Sequence, residues 1–150
     1  MGPLEEYEMA LNKTPTFVNK PRIALAQILD ADVTNPVDVF TAGASGAKVT
    51  AAIAAGEDTA ARNVQLIIKR ASMSNVLQTV AVPQNAGLTN TVGPVNLMGG
   101  DLLDILPRDA DAQPYLFLEA ADVLQVRALT AVTAAKSVQV SVVYGDFDGV

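Results

Sequence analysis

The residues able to do chemistry in this chain are few and restricted in type. Histidine and cysteine are both absent from its 150 residues. That removes the usual general base, the usual zinc ligand and the partners of Ser-His and Cys-His nucleophilic pairs. Carboxylates, lysine and tyrosine remain, and four groupings of charged residues can be weighed against a mechanism or a binding role. The first is Gly43, Ala44, Ser45, Gly46, Ala47 and Lys48. A phosphate-cradling loop needs Gly, four residues, then Gly-Lys and Ser or Thr opening a helix. Here Ala47 separates Gly46 from Lys48, Val49 follows the lysine, and the pattern beyond is that of a strand, so the stretch reads as a strand connection. The second is Asp109, Ala110, Asp111, Ala112, Gln113, with Asp101 and Asp104 nearby, an alternation of oxygen ligands that a hard cation such as calcium prefers. The glycine for a sharp turn and a closing bidentate glutamate are missing, and turn aspartates ordinarily accept bonds from local backbone amides. The third is Asp146 and Asp148 with Glu119, Asp122 or Tyr144, a conceivable carboxylate pair for glycoside hydrolysis. That mechanism is defined by a carboxylate separation no sequence spacing sets, and solvated carboxylates at strand ends are the alternative. The fourth, Arg62 with Asp58 or Glu57, reads as a surface or interface ion pair of small energetic weight. The expectation is a non-enzymatic chain with no catalytic residue, no cofactor and no metal, Asp109 and Asp111 being where a cation would sit if one bound.

The elements that would position these groups are strands. In residues 61 to 70, Val64, Leu66 and Ile68 alternate with Gln65, Ile67 and Lys69, and in residues 137 to 147, Val138, Val140 and Val142 alternate with Gln139, Ser141 and Val143. A period of two gives each stretch one apolar face, and the two faces can bury each other. Residues 22 to 29 fit a short helix or a strand; Pro21 before them and the turn cluster at 30 to 36 favour a strand. Residues 37 to 41 and 49 to 55 form further strands, and residues 76 to 82 pair back on the organising strand after a turn at 70 to 75. Residues 84 to 114 hold Gly87, Gly93, Pro94, Gly99, Gly100 and Pro107 before Pro114. They read as a packed excursion that buries Val95, Leu97, Leu102, Leu103, Ile105 and Leu106, with one helical turn at 101 to 106. Residues 115 to 119 and 123 to 129 form a pair across a tight turn at 120 to 122, Leu116 and Leu118 facing Leu124 and Val126. About eight short strands predict an all-β protein: a single β-sandwich or jelly-roll-like domain over residues 21 to 150, behind an extended N-terminal arm over residues 1 to 20.

The arm differs in composition. Glu5, Glu6, Glu8, Lys13 and Lys20 are interspersed with Pro3, Pro15 and Pro21, and apolar alternation is absent. One reading is a frayed terminus. The other is a segment that orders on a neighbouring subunit, with Tyr7, Met9, Leu11 and Phe17 as its partner-binding residues. Half the chain is hydrophobic, 17% is charged and the formal net charge is -6. The surface is therefore rich in neutral polar residues, and the scattered lysines and arginines argue against nucleic acid as a partner. No apolar run approaches the roughly 20 residues that span a bilayer, and the first residues lack a basic and apolar leader. A soluble protein synthesised in the cytoplasm, with no membrane partner, is expected.

Five stretches carry a resemblance: residues 43 to 49, residues 58 to 66, Pro94-Val95-Asn96-Leu97, Gln113-Pro114-Tyr115-Leu116 and Tyr144-Gly145-Asp146-Phe147. Together they resemble small structural proteins of tailed bacteriophages, encoded among the head genes, over about residues 20 to 148. The resemblance implies a β-sandwich, often a homotrimer, that sits on the outside of the capsid shell as a decoration (cement) protein. Its implied partners are the major capsid protein and further copies of itself, and its implied location is the virion surface after synthesis in the host cytoplasm. A tail or head-tail joining protein is the structural alternative. A glycan-binding adhesion module is a third reading, disfavoured because sugar sites stack on aromatics and the chain has no Trp and only three Tyr.

Overall fold

Apolar and polar side chains alternate through most of the chain, and a pleated backbone turns each such stretch into a strand with one face to bury. The computed structural model describes residues 18–147. Among the described residues there are nine strands: β1 (Val18–Leu29), β2 (Val37–Thr41), β3 (Ala47–Gly56), β4 (Arg62–Arg70), β5 (Met73–Val82), β6 (Val95–Asn96), β7 (Leu116–Leu118), β8 (Val123–Ala128) and β9 (Ser137–Phe147). One short helix, α1 (Asp101–Ile105), and a 3-10 turn at Asp30–Asp32 complete the regular structure. β1 opens at Val18, inside the stretch assigned from sequence to the arm.

All pairings are antiparallel and build two sheets. The first runs β1-β9-β3, with β7 and β6 sharing the far edge of β3: β7 pairs its residues 47 to 49 and β6 its residues 53 and 54. The second runs β2-β8-β4-β5. Their inner faces meet as a sandwich whose core takes Val64 and Leu66 from β4, Leu124, Val126 and Ala128 from β8, and Val138, Val140 and Val142 from β9. β3 lends Val49, Ala52 and Ala54, and the small alanines let the sheets approach closely. Phe40 of β2 and Tyr144 of β9 stack across the gap with ring centroids 3.8 Å apart and planes 11° apart. Burial of each large side chain contributes about 1.5–3 kcal/mol.

Several expectations from sequence are corrected. The stretches at 115 to 119 and 123 to 129 are not a hairpin: β7 pairs with β3 in the first sheet and β8 lies between β2 and β4 in the second. The turn at 119 to 122 crosses between sheets, so Leu116 and Leu118 do face Leu124 and Val126, but through the core. The turn between β4 and β5 is only residues 71 and 72, with Ala71 at a φ of 52°. Residues 73 to 75, expected in that turn, are strand. A register shift opposite Leu66 and Ile67 leaves Leu77 as an extra residue on β5. Leu77 and Val80, an odd and an even position, consequently both pack on the core. Within the excursion, Leu97, Leu102 and Leu106 are buried, but Ile105 is 77% exposed and Met98 is buried in addition.

Candidate binding surface

The outward faces of the two sheets differ in kind. On the second sheet, cross-strand register aligns Arg127, Gln65 and Thr79 in one row and Asp38, Gln125, Ile67 and Val76 in the next. Polar side chains of these rows pair with one another: Arg127 Nε donates to Gln65 Oε1 at 2.7 Å, Gln65 Nε2 to Thr79 Oγ1 at 3.3 Å, and Gln125 Nε2 to Asp38 Oδ1 at 2.6 Å, while Gln125 Oε1 has no partner among the described residues. Gln125 and Ile67 are buried and Arg127 and Gln65 half-buried, so this face is polar and largely paired within itself.

On the first sheet the rows read Ile23, Val143, Ala51; then Leu25, Ser141, Ile53; then Gln27, Gln139, Ala55. None of these nine positions is charged. Leu25 is 74% exposed, Ile23 67% and Ile53 38%, while Ala51 and Ala55 keep the β3 side low. A neutral, low-relief sheet face with protruding aliphatic side chains has the composition of an interface centre. The register also explains why these residues are outside. Their even-numbered neighbours on β1, Ala24, Ala26 and Ile28, pair with the inward Val142, Val140 and Val138, so an apolar residue at 23 or 25 must face out.

The groupings singled out from sequence are placed as follows. The stretch at 43 to 48 connects β2 to β3, which it enters at Ala47. Gly46 has a φ of 85°, its N–H donates to the Gly43 carbonyl at 3.1 Å, and its own carbonyl accepts from the Phe147 amide at 3.2 Å. Lys48 donates to Asp109 Oδ2 at 3.0 Å and lies 5.0 Å from the centroid of the Tyr115 ring, which commits its charge locally. The other Asp109 oxygen accepts from the amides of Asp111 and Gln113, both at 3.0 Å. The Gln113 amide and the Lys48 ammonium hold the Asp109 carboxyl below the usual carboxylate range. Asp109 therefore closes its own turn, and among the described residues no three acidic groups converge on one point.

The imagined carboxylate pair is divided between two arginines. Asp146 lies 3.1 Å from Arg22 Nε. Asp122, buried, takes both its oxygens to Arg70 at 2.7 Å and accepts from the Glu119 amide at 2.9 Å. Arg70 holds the Asp122 carboxyl below its ordinary range, outweighing the upward push of burial. Asp148 lies outside the described residues, as do Tyr7, Met9, Leu11 and Phe17 of the arm.

The Asp58–Arg62 pair is not the surface contact expected from sequence. Asp58 is 2% exposed. Its carboxylate accepts from Arg62 Nε at 2.6 Å, from the Thr59 amide at 2.6 Å, and from the Thr133 hydroxyl and amide at 2.6 and 3.1 Å. Burial pushes the carboxyl up, but the bonds from Arg62, Thr133 and Thr59 outweigh it and hold the group well below the carboxylate range. The network ties the turn before β4 to the turn before β9. A turn aspartate four residues before an arginine was the only sequence signal for it.

No protein-family model matches this chain, and no curated protein matches it. Among solved structures, a chain of the acid-stable capsid structure of the Helicobacter pylori bacteriophage KHP30 shares the fold. Its TM-score is 0.54 at 9% sequence identity, and the alignment covers 87% of this chain and 91% of that one. The two chains are thus of similar length and alike over nearly all of it.

Proposed function

We propose that this protein is a non-enzymatic structural component of a phage particle that binds the outside of the capsid as a decoration (cement) protein. The observation that carries the reading is the uncharged outer face of β1, β9 and β3, a surface suited to burial against another protein. The fold it shares with a chain of a phage capsid structure supports the location. Commitment of the Asp58, Asp109 and Asp122 carboxylates to turns and arginines supports a structural role over a catalytic one. Burying Ile23, Leu25 and Ile53 would contribute several kcal/mol per copy, since each large aliphatic side chain is worth about 1.5–3 kcal/mol. Repetition over a shell multiplies such contacts. Residues 1 to 17, with Tyr7, Met9, Leu11 and Phe17, are the segment we assign to a neighbouring subunit.

The test is cryo-electron microscopy of the particles that carry the protein. Density repeated over the outside of the shell, with the face of β1, β9 and β3 turned inward onto it, is the expected result. Density confined to the portal axis or the tail would make it a joining protein instead, and absence from particles would refute a virion role.

A further inference from the structure

Among the described residues, β1 pairs with β9 on one side and with no strand on the other. In an antiparallel strand, alternate residues direct both N–H and C=O toward the neighbouring strand, and those between direct them away. Two observations fix which set of β1 points away from β9. The Leu29 N–H donates to Asp32 Oδ2 at 2.8 Å, although Leu29 stands opposite Ser137 of β9. Pro21, which has no N–H, stands opposite Gly145 in the same uninterrupted register. Residues 21, 23, 25, 27 and 29 therefore face the open edge. Edge strands are ordinarily blunted against such pairing, and here the blunting is confined to the two ends: Pro21 has no donor, and the Leu29 donor is already occupied. Between them, Ile23, Leu25 and Gln27 have no backbone partner on that side among the described residues, and the open stretch is centred on Leu25.

We propose that two copies of the chain join through β1 across a twofold axis at Leu25, merging their first sheets into one. In that register Leu25 pairs with Leu25 of the second copy and Ile23 with Gln27, which yields reciprocal backbone bonds at three successive pairs. Pro21 falls opposite Leu29, the one arrangement in which neither position has a donor left to bury unpaired. Lys20 comes level with Asp30 of the second copy, so the ends carry opposite charge, and both residues are exposed. The outward aliphatic residues of the two copies then form one continuous strip. The contact is independent of the capsid reading and is measured on the free protein.

Sedimentation equilibrium of the full chain should give a dimer or an even multiple of it. Leu25→Lys, which sets two ammonium groups face to face, should raise the dissociation constant by about tenfold or more, with an unchanged circular dichroism spectrum. Lys20→Glu should weaken the dimer, and adding Asp30→Lys should restore it. Because the chain has no cysteine, Leu25→Cys should yield a covalent dimer with a short bismaleimide, whereas Val76→Cys on β5 should not. A monomeric or trimeric mass, or a dimer indifferent to Leu25→Lys, would overturn the proposal.

Discussion

At the scale of single residues, the buried carboxylates set the acid limit of the fold. Asp58 and Asp122 both titrate lower in the folded chain than in the unfolded one. As pH falls the unfolded state binds protons first, so their contribution is fully present above about pH 4 and is lost progressively below it. Asp58→Ala leaves Arg62 beside an empty socket and should cost about 3–5 kcal/mol. Urea unfolding at pH 7 and pH 3 checks both points: the wild type should lose stability between them, and the variant, which keeps Asp122, should lose less. Equal slopes would show that Asp58 is not the responsible group. Gly46 is a second sensitive position, since a Cβ there would lie 2.5 Å from the Leu118 carbonyl oxygen at a φ of 85°. Gly46→Ala should lower the melting temperature by an amount corresponding to about 1–3 kcal/mol, whereas Gly93→Ala, where a Cβ meets nothing within 4 Å, should not. A glycine in the turn at 43 to 47 was itself a sign of positive φ at Gly46, but the Asp58 effect was not legible in the sequence. The pairing of Asp58 with Thr133 joins residues 75 positions apart, and spacing carries no record of which distant turn folds over a carboxylate.

At the scale of elements, alternation was an accurate guide to where strands lie and a poor one to what they pair with. β2 and β9 occur at the expected residues, and β4 begins one residue later than expected, because their apolar residues recur at a period of two. β7 and β8 follow each other closely in the chain and still belong to different sheets. An inward apolar face is equally consistent with a hairpin partner and with a strand across the core. The extra residue at Leu77 was hidden for a related reason, since a bulge breaks the period on which the reading depends. The outer face of β1 was not legible because residues 22 to 29 are apolar at most positions, a pattern that fits a helix or a strand and does not mark which side turns outward. The β4–β8–β9 packing should dominate stability: Leu66→Ala, at a position 1% exposed, should cost about 2–5 kcal/mol in urea unfolding. A cost below about 1 kcal/mol would mean that the site collapses or that the core lies elsewhere.

At the scale of the whole molecule, stability and binding should separate by face. Ile53→Asp changes a side chain on the outer face of β3 that is 38% exposed. It should leave the melting temperature within a few degrees, because surface substitutions usually stay within about 0.5 kcal/mol. In co-sedimentation with shells lacking the protein, the same variant should lose most of its occupancy. Retained occupancy would direct attention to another surface. Removing residues 2 to 17 should spare the sandwich, whose strands begin at Val18, and should lower occupancy if that segment grips a neighbour.

The register of β1 against β9 sets Val18 opposite Phe147, so the two ends of the described chain leave side by side from one corner of the sandwich. A force applied between those ends would act on the β1–β9 ladder one bond pair at a time, peeling it like a zipper. A force applied through the broad faces would load the ladders in parallel. The molecule is thus mechanically weak along its own chain and stiff across its thickness. A protein held by its sheet would resist strain that the same protein, tethered by its ends, would not.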